Sequence, residues 1–139
     1  MAESCTGGLI SHYITQIAGS SEYFLFSGIT YSNTSKIKVL GVSEESLKQL
    51  GAVHEEIAKQ MADGVKRVAG ADYAISTSGI AGPDGGTPEK PVGTVCIGIS
   101  TPHATDGFRY CFPNNSREHN KEIFAITALN VLHQSLIRK

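Results

Sequence analysis

The chain has 139 residues, of which 40% are hydrophobic, and its 12 basic and 13 acidic residues give a formal net charge of −1. This length predicts a single domain over residues 1–139 with one packed core. A nucleic-acid partner needs a concentrated basic face, and the sequence has none, so we predict no nucleic-acid partner. No segment approaches the ~18 consecutive apolar residues of a transmembrane helix, so we predict no membrane partner either.

The cysteines and the first residues indicate a cellular compartment. Cys5, Cys96 and Cys111 are odd in number and widely spaced, which is typical of reduced thiols and not of a disulfide framework. The chain begins without a basic segment followed by an apolar run, so no signal peptide is recognisable. We therefore expect a cytoplasmic protein. A closed zinc site would need more ligands at closer spacing, so we predict no metal.

Helical and strand patterns alternate in the first half of the chain. Apolar residues recur at helical spacing after Gly7 and Gly8. Aromatic and β-branched residues then favour a strand, and polar caps with glycine stops bound further helices. The predicted elements are a helix over 6–18, a strand over 23–32, short helices over 32–41 and 43–51, and a longer helix over 53–70.

The second half contains the clearest strand patterns. A short apolar segment over 71–79 leads into a glycine-rich loop, and strands over 92–100 and 107–113 form a hairpin through a polar turn. A helix over 116–139 closes the chain. This order of elements predicts a layered α/β/α domain in which a mixed, mainly central sheet is flanked by helices.

Three polar clusters lie where predicted strands end or helices begin, which is where open α/β folds bind ligands. The first is Ser4, Cys5 and Thr6, ahead of Gly7 and Gly8. Ser4 is a candidate nucleophile, which would need a lysine or histidine as its base. Alternatively, Ser4 or Thr6 only caps the following helix, and Cys5 is a small buried side chain.

The second cluster is the segment TYSNTSK, in which Tyr31 precedes Lys36 by five residues. A phenol at a strand end and an amine on a helix can converge on one pocket; the alternative is a capped helix start with a surface lysine. The short-chain dehydrogenase signature has one residue fewer between its tyrosine and lysine, and no G-x-G-x-x-G turn is present, so hydride transfer is excluded.

The third cluster is the glycine-rich segment SGIAGPDGG, which starts at Ser78. Its backbone N–H groups can cradle a phosphate or a carboxylate, although it lacks the Gly-Lys-Ser/Thr of a Walker loop. It can equally be a long hairpin connection, with Asp84 and Glu89 as exposed turn acids. Arg117, at the start of the last predicted helix, either reaches an anionic ligand or is solvated.

Three segments taken together resemble the CinA C-terminal domain family, whose stand-alone members are nicotinamide-nucleotide amidohydrolases. These segments are AESCTGG from Ala2, GITYSNTSKIKVLGV from Gly28 and SGIAGPDGGTPEKPVGTV from Ser78. The resemblance also takes in IAGSSEYF and GAVHEEIAKQMADG, and it covers essentially the whole chain in order.

This resemblance implies hydrolysis of the carboxamide of nicotinamide mononucleotide to nicotinic acid mononucleotide and ammonia, in pyridine nucleotide recycling. It implies a Ser-Lys mechanism without metal or cofactor, and a homodimer. Ser4 matches the nucleophile, Lys36 the general base and Tyr31 the tyrosine near it, whereas Arg117 is a looser match because NNSREHNKE differs from the expected G-D-R-x-x-V-R. The expected substrate-binding residues are Thr6, Gly7, Gly8, Ser78, Gly79, Gly82 and Arg117.

One departure from the family affects the first cluster. Family members usually carry a helix and a strand before AESCTGG, and this chain has only Met1 there. Because that strand would present the serine, we expect Ser4 to be less ordered than the family geometry requires. The alternative function is therefore a non-catalytic nucleotide-binding or assembly module, inactive because of the shortened N-terminus.

Overall fold

A computed structural model of the protein describes residues 1–138. A five-stranded sheet with the order β2-β1-β3-β4-β5 forms its centre. The strands are β1 (Ala2–Glu3), β2 (Gly28–Ile29), β3 (Ala74–Gly79), β4 (Thr94–Ser100) and β5 (Thr105–Cys111). The helices are α1 (Leu9–Thr15), α2 (Asn33–Leu40), α3 (Glu44–Leu50), α4 (Glu55–Ala69) and α5 (Arg117–Ile137), with a 3-10 turn over Ser20–Glu22.

The sheet is mixed, as the order of elements predicts. β1 pairs in parallel with both β2 and β3, and the β3-β4 and β4-β5 pairs are antiparallel. The carboxyl ends of the three parallel strands meet at one edge of the sheet. The segments that follow β1, β2 and β3 therefore lie side by side, and these are the three polar clusters of the sequence.

Helices cover both faces of the sheet and create two apolar clusters. On one face, Ile10 of α1 and Phe124 of α5 pack against Ile97 of β4. On the other face, Leu40 of α2 packs with Ile57 of α4. The layered α/β/α architecture is confirmed.

Helix α4 shows why the periodic segments were predictable. Ile57, Met61 and Val65 recur every four residues and are fully buried, which is the pattern of one helix face turned to a core. Gly70 ends the helix with a φ of +62°, a left-handed conformation that favours glycine. Most of the predicted helices and strands are present, with ends shifted by a few residues.

The predicted strand over 23–32 is wrong in extent, because only Gly28–Ile29 pairs. β2 is an edge strand whose partner β1 is two residues long, so a longer ladder has nothing to bond to. The helix predicted over 6–18 is shorter too, since Gly7 and Gly8 have φ values of +60° and +101° and start it only at Leu9. The last residue of the final predicted helix, Lys139, lies outside the described residues.

The expectation that Ser4 lacks its strand is corrected by β1. Ala2 and Glu3 form the strand between β2 and β3, and both residues are fully buried. The N–H of Ser4 donates to the carbonyl of Thr77 at 3.1 Å, which ties the serine to β3. Ser4 is therefore held by the sheet. None of the helices within residues 1–138 is long and apolar enough to cross a membrane.

Candidate active site

The side chains of Ser4 and Lys36 meet at the carboxyl edge of the sheet. Ser4 follows β1, and Lys36 lies in the first half of α2, which begins just after β2. The Lys36 Nζ lies 3.0 Å from the Ser4 Oγ. Lys36 is only 1% exposed, so the alternative of a surface lysine is wrong.

Two backbone carbonyls and the Ser4 hydroxyl surround the buried Lys36 amine. Its Nζ donates to the carbonyls of Thr30 at 2.8 Å and Tyr31 at 3.0 Å. Burial lowers the pKa of Lys36 from its ordinary value, with a smaller opposing effect from Cys5. A neutral amine has two N–H groups and one lone pair. The two carbonyls can take both N–H groups, which leaves the lone pair for the Ser4 hydroxyl.

The neighbours of Ser4 are poorer nucleophiles than Ser4 itself. Burial raises the pKa of Cys5 to about 12, so its thiol keeps its proton near neutral pH. The Thr6 hydroxyl donates to the Glu3 carboxylate at 2.6 Å and shares a 2.9 Å hydrogen bond with Thr77. Of the three hydroxyl and thiol groups in this cluster, the Ser4 hydroxyl is the one that contacts an amine.

Helix α1 is not capped by Ser4 or Thr6, so the capping alternative is wrong. Gly8 stands at the cap position without a side-chain cap bond. The Glu3 carboxylate instead accepts from the N–H groups of Gly8, Ile10 and Ser11. Sequence reasoning missed Glu3, although an acidic residue close to a helix start is a known stabilising pattern.

A cavity of about 210 Å³ opens beside this edge of the sheet. Arg117 bridges its rim, since Nη1 donates to the carbonyl of Gly82 at 2.7 Å and Nη2 donates to the hydroxyl of Tyr31 at 3.3 Å. A larger cavity of about 600 Å³ lies between β5 and α5, and neither cavity has Ser4 or Lys36 in its lining. The smaller cavity is lined by Cys5, Tyr31, Gly79, Ile80, Ala81, Gly82, Asp84, Gly85 and Arg117.

Gly79 brings the third cluster close to the first. A Cβ at Gly79 would lie 2.6 Å from the carbonyl oxygen of Thr94 and 3.2 Å from the Cys5 Sγ. A larger residue would therefore push the end of β3 away from β4. The glycine-rich segment both connects β3 to β4 as a hairpin and contributes its first residues to the cavity.

The predicted site residues divide into two groups. Tyr31, Gly79, Gly82 and Arg117 line the cavity next to Ser4 and Lys36, although Tyr31 contacts Lys36 through its carbonyl and not its phenol. Ser4 and Lys36 themselves lie outside that lining, and so do four predicted substrate-binding residues: Thr6, Gly7, Gly8 and Ser78.

The backbone N–H of Gly7 donates to the carbonyl of Ser4 at 3.1 Å, and Ser78 is a buried residue of β3. The substrate-binding roles of these four residues stay predictions, as do those of Gly79, Gly82 and Arg117 and the catalytic roles of Ser4, Lys36 and Tyr31. Within residues 1–138, no group of three or more His, Cys, Asp or Glu side chains is placed to hold a metal ion.

The comparisons with known proteins agree on one family. The family model described as CinA C-terminal domain matches residues 1–136. A CinA-like protein from Desulforapulum autotrophicum is 57% identical over 137 residues, which is 99% of this chain and 32% of that protein. A CinA-like protein from Desulfosudis oleivorans is 55% identical, over 99% of this chain and 33% of its own length. The chain thus spans about a third of the length of the curated relatives it matches.

Solved structures with the same fold carry related names. The competence/damage inducible protein CihA from Agrobacterium tumefaciens has a TM-score of 0.93 and 39% identity, over 96% of this chain and 81% of that one. The competence damage-inducible protein A (ComA) from Klebsiella pneumoniae has a TM-score of 0.92 and 34% identity, over 98% and 84% of the two chains. This chain belongs to the CinA C-terminal domain family.

Proposed function

We propose that this domain hydrolyses the carboxamide of nicotinamide mononucleotide to nicotinic acid mononucleotide and ammonia, a step in pyridine nucleotide recycling. One observation carries the proposal of amide hydrolysis. A buried lysine amine, whose pKa is lowered by burial, lies 3.0 Å from the hydroxyl of a serine, and the residues adjacent to this pair, Cys5 and Tyr31, line a cavity. The choice of substrate rests on the resemblance of the three polar segments to the family.

In the first half of the reaction Ser4 replaces ammonia on the acyl carbon. The neutral amine of Lys36 accepts the proton of the Ser4 hydroxyl as its Oγ attacks the carboxamide carbon. The resulting ammonium returns this proton to the leaving nitrogen, the C–N bond breaks and ammonia departs. An ester between Ser4 and the nicotinate acyl group remains.

In the second half water releases the product. Lys36 accepts a proton from water while the water oxygen attacks the ester carbon, and then gives that proton to the departing Ser4 oxygen. The product is a carboxylic acid, and the serine is regenerated. Both halves need backbone N–H donors for the oxyanion, and the Gly79 segment at the cavity lining is our candidate for one of them.

The cavity has groups of both signs for a substrate that carries a phosphate and a pyridinium ring. The Arg117 guanidinium, placed at the rim by Gly82 and Tyr31, suits the phosphate. Asp84 lies in the same lining and offers a carboxylate to the pyridinium charge. The N-terminus of α1 is occupied by the Glu3 carboxylate. We therefore assign the phosphate to the Arg117 side of the cavity.

Ammonia release from nicotinamide mononucleotide tests this proposal. The wild-type protein should release ammonia, and Ser4→Ala and Lys36→Met should each lower kcat by about 10³-fold or more. Lys38→Met is the matched control, because Lys38 lies on the same helix and is exposed. Equal turnover by wild type and both site variants would contradict the assignment of Ser4 and Lys36.

The alternative of a non-catalytic binding or assembly module depended on a missing strand before Ser4. β1 is present and the Ser4 N–H is hydrogen-bonded to Thr77, so a missing strand is no longer a reason to expect an inactive module. Nucleotide binding by wild type without any ammonia release would favour the module. A homodimer and a cytoplasmic location stay predictions, the second supported by free thiols at Cys5, Cys96 and Cys111.

A further inference from the structure

Glu3 is a fully buried carboxylate that stands immediately before the nucleophile. Its two oxygens accept five hydrogen bonds, all from the segment that follows Ser4. The donors are the hydroxyls of Thr6 and Ser11 and the backbone N–H groups of Gly8, Ile10 and Ser11. These contacts range from 2.6 to 3.2 Å.

Glu3 replaces the side-chain cap that α1 lacks. The first N–H groups of a helix have no partner inside the helix, and an anion near them is stabilised by the helix dipole. Here that anion comes from β1, an inner strand of the sheet, and not from the turn itself. The start of α1 is consequently anchored to the centre of the sheet.

The turn over Ser4–Gly8 is held on two sides, by β3 on the side of the strand and by the Glu3 carboxylate at the start of α1. On the strand side, the Ser4 N–H donates to Thr77 of β3. Within the turn, Thr6 links the Glu3 carboxylate to the hydroxyl of Thr77. The turn closes with a bond from the Gly7 N–H to the Ser4 carbonyl. Hydrogen bonds to Thr77 and to the Glu3 carboxylate therefore hold the segment that carries the Ser4 hydroxyl on both of its sides.

We propose that Glu3 is a positioning residue: its carboxylate holds the turn over Ser4–Gly8 so that the Ser4 hydroxyl stays in contact with the Lys36 amine. It touches neither the substrate nor the reacting atoms, and it acts through the turn. This inference rests on the proposed function for its catalytic consequence. The ionised carboxylate matters because all five partners are donors, and a glutamine amide would turn its own N–H groups toward some of them.

The test combines turnover with a reporter of Ser4 that needs no substrate. We would measure kcat and KM for nicotinamide mononucleotide, the affinity for nicotinic acid mononucleotide by calorimetry, and the rate at which a fluorophosphonate phosphonylates Ser4, detected by mass spectrometry. The variants are Glu3→Gln and Glu3→Ala, with Glu22→Gln as control because Glu22 is an exposed glutamate. Ser11→Ala removes one donor and leaves the carboxylate in place, so it serves if the Glu3 variants fail to fold.

Glu3→Gln should lower kcat and the labelling rate by about 10²-fold, the size of effect that a displacement of about 1 Å produces, with KM and product affinity changed less than about 3-fold. Ser11→Ala should lower both rates by a smaller factor, and Glu22→Gln should change neither. Folded Glu3→Gln or Ser11→Ala protein with wild-type kcat and labelling would overturn the proposal, even if its stability were lower.

Failure of the proposed function has a different signature. If wild type releases no ammonia but Ser4 is labelled at a rate that falls in Glu3→Gln, the substrate is wrong and the role of Glu3 stands. If wild type neither turns over nor is labelled at Ser4, the serine is not activated, and both proposals are overturned.

Discussion

At the level of single residues, we expect substitution of the buried Lys36 to abolish turnover while changing the free energy of unfolding little. Lys36→Met keeps the length of the side chain but removes the amine that would accept the Ser4 proton. The carbonyls of Thr30 and Tyr31 lose a donor, and the fold no longer buries an ionisable amine, so these two effects on stability oppose each other. We expect a free energy of unfolding within about 1 kcal/mol of wild type by urea denaturation, and loss of turnover. Unfolding of this variant at neutral pH would show that the amine has a structural role instead.

The pH dependence of turnover follows from the lowered pKa of Lys36. Only the neutral amine can accept a proton, so kcat/KM should rise with pH to a plateau. The apparent pKa of this rise should be clearly below the ~10.4 of a free lysine. A pH series of initial rates measures this. A profile that is flat between pH 6 and about 10, or that rises only near 10.4, would contradict Lys36 as the base.

The titration of Lys36 should also appear in the difference between the free energies of unfolding of wild type and Lys36→Met. Between the lowered pKa of folded Lys36 and the ~10.4 of the unfolded chain, the unfolded state binds the extra proton, so stability rises with pH. The buried Cys5 and Cys96 thiols, whose pKa values are raised to about 12, act in the opposite sense above about pH 8.5. Lys36→Met retains both thiols, so wild type should gain stability relative to Lys36→Met as pH rises through that window.

The proximity of several candidate residues could be predicted from the sequence, whereas their functional roles stay predictions. Ser4, Lys36, Tyr31 and Arg117 were identified from the sequence, and the structure places them around one edge of the sheet. The burial of Lys36 was not predictable, because a lysine one turn into a capped helix reads equally well as a surface residue. Glu3 was missed because its five donors lie in the turn and in the first residues of α1, whose path depends on the left-handed Gly7 and Gly8.

At the scale of elements, the start of α2 positions the amine. The Ser32 Oγ accepts from the Ser35 N–H at 3.1 Å, and Ser43 caps α3 in the same way through Ser46. Ser32→Ala and Ser43→Ala should each cost about 1 kcal/mol by denaturant unfolding. Only Ser32→Ala should also lower kcat, since α3 carries none of the predicted site residues. Equal effects of the two variants on kcat would indicate that α2 does not set the position of Lys36.

The crossing of α2 and α4 depends on a glycine. A Cβ at Gly64 of α4 would lie 2.0 Å from the carbonyl oxygen of Leu40 at the end of α2. Because a backbone atom cannot rotate away as a side chain can, Gly64→Ala should destabilise the protein by about 2 kcal/mol or more in urea unfolding, despite the better helix propensity of alanine. Val68→Ala on the same helix, at a position that is 48% exposed, should change stability by less than about 1 kcal/mol.

The helices and strands show which sequence patterns are enough to predict an element and its length. Helices such as α4 were predictable because periodicity, caps and glycine stops agree along a single segment. The length of the strand predicted over 23–32 was overestimated. Its aromatic and β-branched composition indicates a preference for strand, but the length of a strand is set by its pairing partner. That partner, β1, has two residues. Pairing partners lie far apart in the chain, so this limit is not contained in the segment itself.

At the scale of the whole molecule, the topology explains why three distant segments share a site. β1, β2 and β3 run parallel and adjacent, so the residues after each strand arrive at the same edge. The alternation of elements predicted the layers and the mixed sheet. It did not predict that β1 lies between β2 and β3, and this placement holds Ser4 at the end of an inner strand instead of at a frayed terminus.

We propose that Lys36 activates Ser4 to form an ester with the substrate. Acid-quenched mass spectrometry of the protein mixed with nicotinamide mononucleotide tests this most directly. We predict that the peptide containing Ser4 gains the mass of the nicotinate mononucleotide acyl group, and that this adduct is absent from Ser4→Ala and Lys36→Met. Turnover without any adduct on the Ser4 peptide, or the same adduct in Lys36→Met, would contradict the account.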